Sequence, residues 1–152
     1  MRLIGLLVLV ASSYLSAQPG ADCHEVAGGI VTNFVDSSDT LGSATGDLAG
    51  GLGVQVLKQQ AGPGGQIVIT VQHHWVTQTG DTVSLDQASV TLFPTSVSGL
   101  YAASYVDGVT MNKSGTGRLA GATGKLYAWG AVDLSKNELV LRYSGKICKE
   151  DH

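Results

Sequence analysis

Hydrophobic and polar residues along most of this chain alternate, or fall into short blocks rich in Val, Thr and Ile. No stretch beyond the first 17 residues keeps the 3.6-residue period of an amphipathic helix. Gly, Asp and Asn divide the blocks at short intervals. The pattern predicts strands over 28–35, 44–59, 66–79, 82–93, 99–111, 122–133 and 138–148. The second of these is broken by glycines, and the fifth is bent at Asp107-Gly108. Within 66–79, Ile67, Ile69, Val71, His73 and Trp75 share one face, and Val68, Thr70, Gln72, His74 and Val76 the other. Turns are predicted at 36–39, at Gly62-Pro-Gly-Gly65, at Gly80-Asp81 and at Leu134-Ser-Lys-Asn137.

Seven or eight strands joined by short turns are antiparallel neighbours. Eight of them can close into an up-and-down barrel, which removes the sheet edges; a β-sandwich fits the same pattern. Glycines inside a predicted strand, at Gly46, Gly50, Gly51 and Gly53, favour the barrel, because tight coiling brings backbones close together. The expected fold is therefore a single all-β domain, an eight-stranded antiparallel β-barrel.

The first residues have a different character. Met1-Arg2 is a short positive segment, 3–10 is continuously apolar, and 11–17 is small and weakly polar. This is the layout of a secretory signal peptide, too short for a comfortable membrane span. Cleavage is expected after Ala17, with Ser13 as the alternative, leaving 18–152 as one domain, secreted or periplasmic. Export gives the two cysteines, Cys23 and Cys148, an oxidising environment, and they are expected to form a disulfide. The loop-entropy model assigns so long a closure roughly 5 kcal/mol before strain.

Charged residues make up 14% of the chain and the net charge is −3. Lysines and arginines are scattered along the sequence, without the basic stripe that nucleic-acid binding requires. Abundant Val, Leu and Ile exclude a disordered chain. Gly is frequent, at 21 residues, but only three Pro accompany it, so the composition is not that of a linker.

The densest glycine segment is Gly115-Thr-Gly-Arg-Leu-Ala-Gly-Ala-Thr-Gly124. Its Gly-x-Gly-x-x-Ala start matches a dinucleotide fingerprint formally. That motif works by opening a helix whose N-terminus holds the pyrophosphate, and here Lys125-Leu-Tyr-Ala-Trp reads as a strand. No nucleotide or other cofactor is expected. The segment reads instead as a bend between strands. It has an echo: Ala44-Thr-Gly-Asp-Leu48 resembles Ala122-Thr-Gly-Lys-Leu126, and Gly46-Asp-Leu-Ala-Gly50 resembles Gly117-Arg-Leu-Ala-Gly121.

At this segment the chain resembles the allene oxide cyclase and dirigent group of β-barrels. Their signature is Gly-Ser/Thr-Gly, an aromatic or Leu, then Gly-Ala-x-Gly, followed by a terminal hairpin. Leu119 holds the aromatic place, and Thr40-Leu-Gly-Ser-Ala-Thr-Gly-Asp47 agrees with the strand start expected earlier in such chains. The resemblance is greatest to the small secreted bacterial members. It implies an eight-stranded antiparallel barrel, often trimeric, that in the better-known members holds a hydrophobic ligand and steers a cyclisation or radical coupling by shape. For this chain a homo-oligomer, dimer or trimer, is the expectation. No catalytic acid of the group maps onto a residue of this chain.

His73-His74-Trp75 is the sharpest polar feature. Successive strand residues point to opposite faces, so the two histidines cannot chelate one metal together. One enters the lumen and the other faces out. A His73 inside the lumen would have a depressed pKa and could serve as a base, or be a hydrogen-bonded structural residue. Asp86, read as mid-strand, is the candidate acid partner. Trp75, Tyr101, Tyr105 and Trp129 are candidate ligand-binding residues. Two functions follow. One is a secreted barrel binding a small apolar molecule, as a binder or as a cyclase or isomerase that works by confinement. The other is a non-catalytic structural or interaction protein with a filled lumen. Lumen volume separates them: a cavity smaller than a few hundred Å³ cannot hold a drug-sized ligand, and the binding reading then fails.

Overall fold

A computed structural model of the protein describes residues 21–150; the leader read over 1–17 lies outside the described residues. Ten strands are present: β1 (Ala21–Phe34), β2 (Asp39–Ala44), β3 (Gly50–Ala61), β4 (Ile67–Thr77), β5 (Thr82–Val83), β6 (Ala88–Pro94), β7 (Leu100–Ser104), β8 (Val109–Met111), β9 (Thr123–Asp133) and β10 (Glu138–Glu150). The wall runs β1-β2-β3-β4-β6-β7-β9-β10, and β10 returns to β1, so eight antiparallel strands close into a barrel. Closure decides between barrel and sandwich. The two remaining strands are short: β5 pairs with β4, and β8 with β9.

The register gives the stagger of the barrel. Following hydrogen-bonded neighbours from Ile30 through Ala44 and Gly50 leads to Thr77 on β4. The opposite way, through Leu141, Gly130, Ala103 and Leu92, leads to Ile67 on the same strand, ten residues away. A stagger of this size tilts the strands and leaves an interior that side chains almost fill. It also crowds the backbones on the inner surface. A Cβ added at Gly42 would lie 2.0 Å from the Val31 carbonyl oxygen, and one at Gly50 2.0 Å from that of Val76. Only glycine fits at these inward positions.

Three predicted boundaries shift. The first strand begins at Ala21, because its N-terminal half pairs along β10. The run 44–59 gives way to two strands: β2 over 39–44, where the pattern predicted no strand before Ala44, and β3 from Gly50, with a single 3-10 turn at Gly46–Leu48 between them. The run 82–93 is also two strands, separated over 84–87, although its alternation continues through the break. The bent strand over 99–111 is found as β7 and β8, with a turn between them in which Gly108 N–H donates to Tyr105 O.

The echo noted in the glycine segments is a repeated local structure. Gly46–Leu48 and Gly117–Leu119 are each one 3-10 turn that begins with a left-handed glycine, φ +80° and +57°. Thr45 N–H donates to Gly29 O, and Thr45 Oγ1 accepts from Gly29 N–H. In the same way Thr116 N–H donates to Thr82 O, and Thr116 Oγ1 accepts from Thr82 N–H. Both turns cover the same end of the barrel, the closed end. Leu48, on the first, is buried there with Val26, Trp75, Tyr143 and Ile147. Cys23 and Cys148 are directly opposed on β1 and β10 and form a disulfide.

Candidate functional site

Alternation in the strands builds the lumen from Ile30, Thr32, Leu52, Val54, Val71, His73, Trp75, Val90, Tyr105, Leu126, Leu141 and their neighbours. At the closed end Trp75 and Tyr143 meet edge to face, with ring centroids 5.3 Å apart. Trp75 Nε1–H donates to Leu48 O at 2.9 Å. Tyr143 hydroxyl accepts from Leu48 N–H at 2.9 Å and donates to Thr45 O at 2.8 Å. The plug is therefore both packed and fully hydrogen-bonded. The opposite end is a mouth. Phe34, Val56, Ile69 and Leu139 face the lumen there but are only half-buried. Val35, Val97 and Leu134, on the turns joining the strands at this end, are exposed apolar residues. The cavity between mouth and plug is about 70 Å³.

His73 points into the lumen and His74 is exposed on the outer face, as strand geometry requires. His73 Nε2 and the Tyr105 hydroxyl share a hydrogen bond of 2.9 Å. Burial, and secondarily the charge of His74, push the His73 pKa down to about 4. Burial raises that of Tyr105. At neutral pH the pair is uncharged. It sits where the wall is irregular: between β5 and β6 on one strand, and between β7 and β8 on the next. Gln72 Nε2–H spans the first break by donating to Leu85 O at 3.1 Å. His73 Nδ1 is buried without a partner, and so are the hydroxyls of Thr32 and Thr40.

The other candidates divide. Trp75 and Tyr105 line the lumen, and Tyr101 packs half-buried against the core without reaching the cavity. Asp86 is not mid-strand as read. It lies in the β5–β6 connection, exposed, and its carboxylate accepts from Asn112 Nδ2 at 2.9 Å. It has no hydrogen bond to His73, and among the described residues no acidic side chain lines the cavity. Trp129 lies away from the lumen, on the outer face at 47% exposure. The inward positions of β9 beside it are Ala128 and Gly130, because Tyr143 and Leu141 opposite them occupy the interior.

Asp81 has a role its turn position did not reveal. It is buried, and accepts from the Arg118 side chain, Thr79 and the Arg118 backbone, which hold its pKa down to about 2. The carboxylate thereby fastens the β4–β5 turn to the second 3-10 turn. Its place is structural, remote from the lumen.

Compared with known proteins, the chain matches no family model, no curated protein and no solved structure.

Proposed function

We propose that the protein is an exported binding barrel whose lumen takes one small, neutral, apolar molecule through the open mouth. The observation that carries this reading is the mouth, where inward-facing Phe34, Val56, Ile69 and Leu139 stay half-buried instead of packing shut. Export is supported by the disulfide, which an oxidising compartment maintains. The volume narrows the ligand. About 70 Å³ is well short of the roughly 300 Å³ of a drug-sized site, so binding of a drug-sized molecule fails on volume and the reading is kept only for a short alkyl chain or a single small ring. Charge narrows it again: among the described residues no Lys, Arg, Asp or Glu lines the lumen, and an ion would enter unpaired. The three unpartnered polar atoms suit a ligand, or a water, carrying one hydroxyl.

The cyclase or isomerase reading, drawn from the resemblance to allene oxide cyclases, has less support. It needs a second catalytic group, and the hydrogen-bond partner of His73 is a tyrosine whose proton burial retains. The filled structural barrel is favoured by the same small volume and is the competing reading. Thermal unfolding with 1-hexanol, benzene and hexanoate separates the two. Binding predicts a rise in Tm with hexanol or benzene that saturates with concentration, a smaller one with hexanoate, and none in Val54→Phe. No rise with any of the three, together with an empty mass for protein purified from its own host, would leave the filled barrel standing.

A further inference from the structure

The basic residues, scattered in sequence, are gathered by the fold. On the outer surface of β9 and β10, Lys125 lies directly opposite Lys146, Tyr127 opposite Ser144, and Trp129 opposite Arg142. All but Ser144 are exposed. Tyr127 and Trp129 are two residues apart on one strand and present their rings on the same face, about 7 Å from each other. Lys125 Nζ lies 5.9 Å from the Tyr127 ring centroid. None of the three cations has a salt bridge; the ion pairs among the described residues use Lys113, Arg118 and Lys136 instead. Two acids adjoin this face: Glu25, opposite Lys146, and Asp47, whose carboxylate accepts from Ala27 N–H at 2.8 Å. Towards β1 the surface drops to Ala27 and Gly29. This leaves an open groove lined by Ala27, Gly29, Trp129, Arg142 and Ser144.

We propose that this outer face is a second binding site, for an acidic polysaccharide whose sugar rings stack on Trp129 and Tyr127 while its carboxylates pair with Arg142, Lys125 and Lys146. Flat aromatic rings offer apolar area at little entropic cost, and a guanidinium can take a carboxylate in two parallel hydrogen bonds. A second copy of this chain is a poorer occupant, because an isologous contact places the same three cations against each other. A single-stranded nucleic acid would also stack on the rings. Its dense charge suits a chain of net charge −3 less well than a polymer with one carboxylate per ring.

The test is a titration of the intact protein with polygalacturonate, its methyl ester and oligo(dT), at 0.05 and 0.15 M salt. The expected result is polygalacturonate binding that weakens with salt and is lost on esterification. Trp129→Ala and Arg142→Gln should each weaken it by about tenfold or more, with Tm unchanged because both side chains are exposed. Polygalacturonate that fails to bind, or binds both variants like the parent, overturns the proposal. Tighter binding of oligo(dT) at 0.15 M salt replaces the glycan with nucleic acid. Concentration-dependent dimerisation abolished by Trp129→Ala assigns the face to a second copy instead. Val54→Phe, which fills the lumen, should leave this binding intact.

Discussion

His73 couples the lumen to pH. Its folded pKa, about 4, lies below the value near 6.5 of an unfolded chain, because protonation would place a charge in an apolar interior. Between those values the unfolded chain binds more protons. The contribution of this residue is therefore complete above about pH 6.5 and is lost as pH falls towards 4. Urea unfolding from pH 7.5 to 4 should show stability declining by on the order of 2 kcal/mol, and His73→Asn should flatten the decline. An unchanged slope in the variant would refute the assignment. Asp81 acts in a separate window. Its depressed pKa gives stability that is present above the usual carboxylate range and lost as pH falls towards 2. At this scale the sequence was legible where one rule sufficed. Period-two alternation puts His73 and Trp75 on one face and His74 on the other, and left open which face is the lumen. It could not reveal Tyr105 as the partner of His73, 32 residues away, or that Trp129 faces out, since that depends on what fills the interior opposite β9.

The strands and turns were legible in proportion to how local their causes are. The alternation over 66–79 and the hairpin around Leu134-Ser-Lys-Asn137 emerge almost as read, and the glycine echo marks two equivalent turns. The break over 84–87 was not legible, because this connection pairs with the far end of β8: Leu85 bridges to Met111, and Asp86 N–H donates to Thr110 O. Long-range partners, not local propensity, set it. The two similar turns are held differently. The first depends on the Tyr143 hydroxyl, which serves both Leu48 N–H and Thr45 O, and the second on Asp81. Tyr143→Phe should therefore cost about 1–3 kcal/mol, by leaving buried groups of the plug unsatisfied. Hydrogen exchange should accelerate at Leu48 and stay unchanged at Arg118. Equal acceleration at both turns would mean that the closed end opens as one unit.

For the whole molecule, the disulfide and the β1–β10 ladder join the first described strand to the last. Replacing both cysteines with serine should lower stability by up to roughly 5 kcal/mol in the loop-entropy model, since the bond closes a span of 125 residues. Native folding of the variant with no measurable loss in guanidinium would show that the ladder alone supplies the closure. Titration of the unfolded, non-reduced parent should find no free thiol.

Ala21 and Glu150 lie opposite each other at the plugged end, away from the mouth. Through the protein chain and the sulfur bridge the barrel is a covalent ring, in which the gap between the two ends is one more seam. A tether joined to β1 at Ala21 or to β10 at Glu150 meets the barrel at the plugged end, opposite the mouth. Held on a surface through either of these strand ends, the protein would present its mouth to the solution.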